Sequence, residues 1–415
     1  MSRILLLYAL FLSGNTFAER TVVFGGGDNI DSSQGSIGKN VEFFRSVLEN
    51  LEREPEVYFG SPNGDHDLYV LDLEKQVDWY QSYNPAIQPW QLFKRTYKNT
   101  LDPLGPNTKR QLTDVLHDNP TEDLFFVYSG HGGWHRNDNH LRLFENARFR
   151  ASEFSVSLNR RTGISRFIFP QCFSGDFAQP IIDYVEKGQG IACGFYSVPR
   201  HLEAEGCTPS VDSAEFADYA HNLFLRISNK TQARNWDGEL GLSLMDAHLD
   251  TLALSHSTDL PFTTSERYLA QQFDWRSRLL SFLPRQSENE YDRVAEVMQK
   301  MMPSAHDQDQ ITKRLKLLST ELATIEKALK ATMRNLLTKS SDDHAVRAES
   351  FVNEFRTLLS VQKESLDLTR TQNMMTKLAH VKRLANQKRH FDRFASDKQK
   401  EVYSTLKSCE QYNFD

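Results

Sequence analysis

The chain has 415 residues, 39% of them hydrophobic, and a formal net charge of −6, which suits a soluble globular protein long enough for two domains. That balance gives no electrostatic reason to expect a nucleic-acid partner. No stretch reaches about 18 consecutive apolar residues, so no transmembrane helix is expected.

The N-terminus reads as a secretory signal peptide over residues 1–18. Arg3 is the basic n-region, Ile4–Leu12 the apolar h-region and Thr16-Phe17-Ala18 the small-x-small cleavage site. The protein is therefore expected to be secreted or periplasmic. Thr21–Phe24 reads as a strand ending in Gly25-Gly26-Gly27-Asp28. An amphipathic helix over Asn40–Leu51 follows, with Val41, Phe44, Val47, Leu48 and Leu51 on one face. Leu68–Leu71 is a candidate second strand. Asn107 is a candidate cap for a helix carrying Leu112, Val115 and Leu116.

Two matched segments come next. Phe125–Val127 is an apolar run that stops at Ser129-Gly130-His131-Gly132-Gly133, and Phe167–Phe169 stops at Gln171-Cys172-Phe173-Ser174-Gly175. Buried parallel strands read as short continuous apolar runs. In open α/β sheets the ligand crevice lies beyond their carboxyl ends. A further strand is expected over Gly190–Phe195 and a helix over Ala214–Ile227. All 20 glycines lie at or before Gly241 and none in the last 174 residues, which marks a change of architecture. After it, Ile311, Leu315, Leu318, Leu322, Ile325, Leu329, Met333 and Leu336 recur at helical spacing, as do Ala348, Phe351, Phe355, Leu358 and Met374, Leu378, Val381, Ala385. The expected organisation is an α/β domain over 19–255, a mostly parallel sheet flanked by helices. A linker over 256–287, broken by Pro261 and Pro284, then leads to an all-α bundle over 288–415.

The charge is uneven. From Leu242 onward there are 26 Lys/Arg against 24 Asp/Glu, so the first 241 residues hold 23 against 31, an excess of about eight acids. An acidic front part slightly favours basic substrates. Four cysteines occur, at 172, 193, 207 and 409. Export permits disulfides. By proximity Cys193 and Cys207 are the candidate pair, which spacing alone does not establish; with that pairing Cys172 stays reduced and Cys409 is left over.

One thiol and one imidazole, each delivered to a strand end by a small-residue turn, are the parts of a thiol hydrolase. Cys172 supplies the nucleophile. His131 takes its proton and returns it to the leaving amine. The backbone N–H groups of Gly132 and Cys172 form the oxyanion hole. His131/His135 and His135/His140 have H-x₃₋₅-H spacing, but no C-x-x-C pair and no organised carboxylates accompany them or Cys193, so no metal or other cofactor is expected.

Tyr128-Ser129-Gly130-His131-Gly132-Gly133 with Gln171-Cys172-Phe173-Ser174-Gly175-Asp176 resembles the caspase-like cysteine peptidases, the group holding caspases, metacaspases, legumains and gingipains. The resemblance covers about residues 20–240. It implies a mainly parallel caspase-like sheet, a Cys–His dyad with no obligatory third member, and cleavage after one preferred residue. It also implies that the segment after the Gly190–Phe195 strand lines the S1 pocket. Gln171, Ser197, Glu205 and Asp212 are the candidate substrate-binding residues, beside Arg200 and Glu203. An inward Glu205 or Asp212 selects a basic P1 side chain, and an inward Arg200 an acidic one. Pro170 and Gln171 stand where legumains and metacaspases carry acidic residues, so no P1 preference is transferred.

The sequence thus points to an exported cysteine endopeptidase acting on peptides or proteins. Its helical region is expected to hold the enzyme latent or to dock a partner. The alternatives are an inactive scaffold of the same fold acting through protein contacts, and a transpeptidase using the same dyad.

Overall fold

The computed structural model describes residues 19–29, 32–61, 67–72, 93–136, 138–206, 216–229, 233–236, 238, 241–279, 288–338 and 344–414. The segment expected to be a signal peptide, Asp212 and Cys207 lie outside the described residues.

Strand β1 (Arg20–Gly26) is followed by helix α1 (Gly35–Asn50), which returns the chain to β2 (Glu56–Phe59) beside β1. A hairpin of β3 (Leu68–Leu71) and β4 (Lys94–Tyr97) forms a separate two-stranded sheet. The second strand of the main sheet is therefore Glu56–Phe59 rather than Leu68–Leu71. Helix α2 (Lys109–His117) is capped by Thr108, whose hydroxyl accepts from the Gln111 N–H at 3.3 Å. Asn107, the expected cap, instead donates from Nδ2 to the Gly27 carbonyl.

Then come β5 (Leu124–Gly130) and a small antiparallel sheet of β6 (Gly132–Gly133), β7 (His140–Leu143) and β8 (Ala147–Arg150). After α3 (Ala151–Leu158), β9 (Ser165–Phe169) leads through a 3-10 turn into α4 (Ala178–Glu186). Strand β10 (Ala192–Tyr196), α5 (Tyr219–Ser228) and α6 (Leu244–Leu254) complete this part. The main sheet has the order β11-β10-β9-β5-β1-β2, where β11 is Phe262–Thr263. It is parallel except for β11, which runs against β10.

Alternation along the strands fills two cores. Val22, Phe24, Phe126, Tyr128, Phe167 and Phe169 face α2, α3 and α4. Val23, Phe125, Val127, Ile168 and Phe195 face α1, α5 and α6, where Phe44 stacks on Phe224 with ring centroids 4.3 Å apart. Every one of these side chains is at most 1% exposed, so both layers drive the sheet's formation.

The stretch expected as a linker is part of this architecture. It contributes the edge strand β11 and helix α7 (Thr264–Leu279), whose Tyr268, Leu269 and Phe273 enter the first core. From Glu290 the described chain is helical: α8 (Glu290–Met301), α9 (Ala305–Thr338), α10 (His344–Phe394) and α11 (Asp397–Glu410). The two stripes beginning at Ala348 and Met374 lie on the single helix α10. Phe391, Val402, Tyr403 and Leu406 share the first core with the sheet, and Phe414 joins the second. The helical region is thus built onto the sheet rather than onto a core of its own alone.

A disulfide fixes this union. Cys193 of β10 pairs with Cys409 of α11, not with Cys207, and Cys172 is free. The two partners are 216 residues apart, and docking of α11 on the sheet is what brings them together.

Candidate active site

The chain places β2 on one side of β1 and β5 on the other, so the direction of winding reverses between β1 and β5. Crevices form at such points, beyond the carboxyl ends of the strands. The loops after β1, β5 and β9 meet there.

The register of β5 with β9 ends at Val127↔Ile168. His131 and Cys172 each lie four residues beyond that pair (131 − 127 and 172 − 168), so the ladder delivers both to the same edge. The turns then touch. A Cβ added to Gly132 would stand 1.9 Å from the Cys172 carbonyl oxygen, an approach that only glycine permits.

Each turn is held from behind. The Tyr128 hydroxyl donates to the carbonyls of His131, at 3.1 Å, and Arg142, at 2.7 Å. The His131 carbonyl also accepts the Arg142 N–H at 2.9 Å. On the other side Phe173 adopts φ 61°, a left-handed conformation uncommon for a bulky residue. Its N–H donates to the Leu202 carbonyl at 2.8 Å, and its carbonyl accepts from Asn139 Nδ2 at 3.2 Å. Strain of this kind costs about 1–3 kcal/mol and persists only where the surroundings impose it. Here it turns the chain sharply just after the cysteine.

The imidazole is oriented by the loop after β1. His131 Nε2 donates to the Ser32 carbonyl at 2.9 Å. A carbonyl can only accept, so this bond fixes the tautomer and makes Nδ1 the basic nitrogen. Behind it the Asp28 carboxylate is paired with Arg142 and accepts from the Ser32 hydroxyl. The sulfur of Cys172 accepts the Ala204 N–H at 3.3 Å and lies 3.7 Å from the Ala204 carbonyl. Burial acts on both groups in the direction of neutrality: it pushes the Cys172 thiol up and the His131 imidazole down. Both shifts favour a neutral thiol beside a neutral imidazole.

Beside the sulfur is a shallow crevice open to solvent. Ile37 and Asn40 of α1, Ser129, Gly130, Pro170–Cys172, Ala204–Gly206 and Asp218 line it. Two of the candidate substrate residues are here. Gln171 is 3% exposed, and neither its amide nitrogen nor its amide oxygen has a hydrogen-bond partner among the described residues. Glu205 is also here, but its carboxylate is occupied by Arg370 and by the N–H and hydroxyl of Thr258.

The other candidates lie elsewhere. Ser197 sits at the end of β10, fully buried, with its N–H on the Phe169 carbonyl, and does not line the crevice. Arg200 is turned to Asp176 at 3.1 Å, and Glu203 is exposed. Among the described residues no three His, Cys, Asp or Glu side chains converge as a metal site.

Asp218 is the residue that sequence reasoning missed. It caps α5, accepting the His221 N–H at 2.9 Å and Asn40 Nδ2 at 3.1 Å, and is 3% exposed. No ion pair joins it to a cation among the described residues, and burial pushes its carboxyl up to about 6. An Asp at a helix N-terminus usually reads as a cap alone. What betrays a second role is burial without a counter-charge at the wall of a crevice that also holds the thiol.

No family model and no curated protein matches this chain.

Proposed function

We propose that the chain is an exported cysteine endopeptidase of the caspase-like kind, cutting peptide bonds after a basic residue. The single observation that carries this reading is the in-register delivery of His131 and Cys172 to one edge of the sheet, with the Gly132 and Cys172 backbones in contact.

In this mechanism His131 Nδ1 takes the thiol proton as the sulfur attacks the scissile carbonyl carbon. The Gly132 and Cys172 N–H groups receive the developing oxyanion, a contribution worth about 2.7–4 kcal/mol for each donor. The imidazolium protonates the leaving amine as the C–N bond breaks. Water, deprotonated by His131, then attacks the thioester and restores the thiol. The Ser32 carbonyl keeps the ring in the productive tautomer throughout.

The basic P1 preference follows from the crevice. Among the described residues Asp218 has no cation on its buried carboxylate, and Gln171, which lines the same crevice, has an unpartnered amide oxygen. A guanidinium or ammonium group supplies the charge that the carboxylate lacks and donors for an amide oxygen. An acidic P1 side chain would add a second buried anion.

The test is a P1-randomised peptide library, run with wild type and Cys172→Ala. Cleavage after Arg or Lys that disappears in Cys172→Ala is expected. Turnover that survives the substitution would refute the thiol mechanism, and cleavage after Asp or Glu would refute the assigned pocket.

A further inference from the structure

The helical region reaches the nucleophile through a continuous set of contacts. On α10, Arg370, Asn373 and Lys377 fall at i, i+3 and i+7, one face of the helix. Arg370 Nε donates to Glu205 Oε1 at 2.9 Å, and its terminal nitrogen makes a second contact with the same oxygen. Asn373 Nδ2 donates to the Thr258 carbonyl at 2.6 Å, and Lys377 Nζ to the Ser255 carbonyl at 3.2 Å. Thr258 in turn donates from N–H to Glu205 Oε2 at 2.7 Å, while Glu205's own N–H donates to Asp259 Oδ1 at 2.7 Å. Glu205 is therefore held at both its side chain and its backbone. The residue before it is Ala204, whose N–H donates to the Cys172 sulfur at 3.3 Å.

We propose that Arg370 is a positioning residue for the nucleophile: seated on Glu205, it fixes the 203–206 loop so that the Ala204 N–H stays on the Cys172 sulfur. This builds on the reading of Cys172 as the nucleophile. It assigns a site-building role to a helix whose sequence carries no catalytic signature. A hydrogen bond donated to sulfur favours the thiolate, and it opposes the burial that holds the thiol up. The acidic neighbours of the thiol act against the thiolate, as burial does. Glu203 and Asp259 bear on the thiol as unfavourable neighbours, Glu205 and Asp218 line the same crevice, and Arg370 and Lys377 are the cations that α10 brings to this acidic group. Asp367 shares Arg370 at 3.0 Å. Cys172 remains only partly buried beneath the loop, which suits a support better than a seal.

The experiment is the rate of Cys172 alkylation by iodoacetamide against pH in the full-length oxidised protein, compared with peptide turnover. Arg370→Gln is expected to move the alkylation profile to higher pH by about one unit, which is about a tenfold loss of thiolate at a fixed pH below it. Arg370→Lys keeps the charge and is expected to recover most of that loss. Asn373→Ala, which removes only the contact to the 255–259 segment, is expected to shift the profile less and in the same direction. It also serves as the readout if Arg370→Gln does not fold. Profiles that superimpose on wild type for both variants would overturn the proposal. So would faster alkylation at every pH, which would make the loop a block. Shifts in the variants, together with a wild-type protein that hydrolyses no peptide, leave the positioning role standing and defeat the peptidase reading instead.

Discussion

Asp218→Asn separates function from stability at a single atom. The carboxyl is pushed up to about 6 by burial, with the negative Glu205 adding to the shift and the bonds from the His221 N–H and Asn40 opposing it. A folded value above the unfolded value of about 3.9 means that the folded state holds the proton more tightly. Stability contributed by this group is therefore fully present below the unfolded value and is lost as pH rises through about 6. Two units at about 1.4 kcal/mol each give a cost of about 3 kcal/mol above pH 7, falling to about 1 kcal/mol near pH 4.5.

Asparagine keeps an oxygen to accept the α5 cap bond and removes the charge. Rearranging the Asn40 contact offsets about 1 kcal/mol of the gain. Urea unfolding of both proteins at about pH 8 and about pH 4.5 is the assay. The variant is expected to be more stable by about 2 kcal/mol at the higher pH, with the gap closing at the lower one. Its turnover of Arg and Lys substrates is expected to fall by at least about a hundredfold, the loss of one charge-assisted partner in a desolvated site. A stability gap that does not change with pH, or undiminished preference for basic P1, would refute the assignment of Asp218 as a buried, cation-seeking carboxylate.

Other consequences are sharper in sign than in size. Gly132→Ala forces a methyl group onto the Cys172 carbonyl oxygen at 1.9 Å, and because the obstacle is backbone the turns must separate. A displacement of about 1 Å costs about a hundredfold in rate, so turnover should fall by about that factor while circular dichroism stays native; an unchanged rate would show that the turns are not in contact. With the thiol raised and the imidazole lowered, alkylation of wild-type Cys172 should climb through the alkaline range, above the ordinary thiol value of about 8.5. A flat profile down to about pH 6 would instead reveal a preformed thiolate–imidazolium pair. Replacing both Cys193 and Cys409 by alanine opens a loop of 216 residues, for which chain entropy gives a loss of about 5 kcal/mol. An unchanged denaturant midpoint would show that the docked helix holds itself.

The two strand ends that carry His131 and Cys172 are legible in the sequence because their signal is local. An apolar run followed by a small-residue turn specifies a buried strand and its end, and those few residues carry both the strand and the side chain at its tip. The loss of glycine after Gly241 marked the helical region for the same reason, since backbone freedom is a property of single residues. Local reading failed where the partner was distant. Leu68–Leu71 and Glu56–Phe59 are both strand-like, and only packing against β1 selects the second for the main sheet. Residues 256–279 looked like a linker because two residues of edge strand carry almost no periodicity. Thr108 rather than Asn107 caps α2 because Asn107 is drawn to the Gly27 carbonyl, 80 residues away.

The chemistry divides along the same line. Cys172, His131 and Gly132 are written in contiguous motifs, whereas the Ser32 carbonyl that sets the tautomer is a backbone atom with no residue signature. Asp218 with Asn40, Arg370 on Glu205, and the Cys193–Cys409 link join segments 165 to 216 residues apart. Side-chain identity and short-range pattern decide which groups a strand end presents. Which of them meet, and at what charge, is decided only when burial brings distant segments into one low-dielectric place.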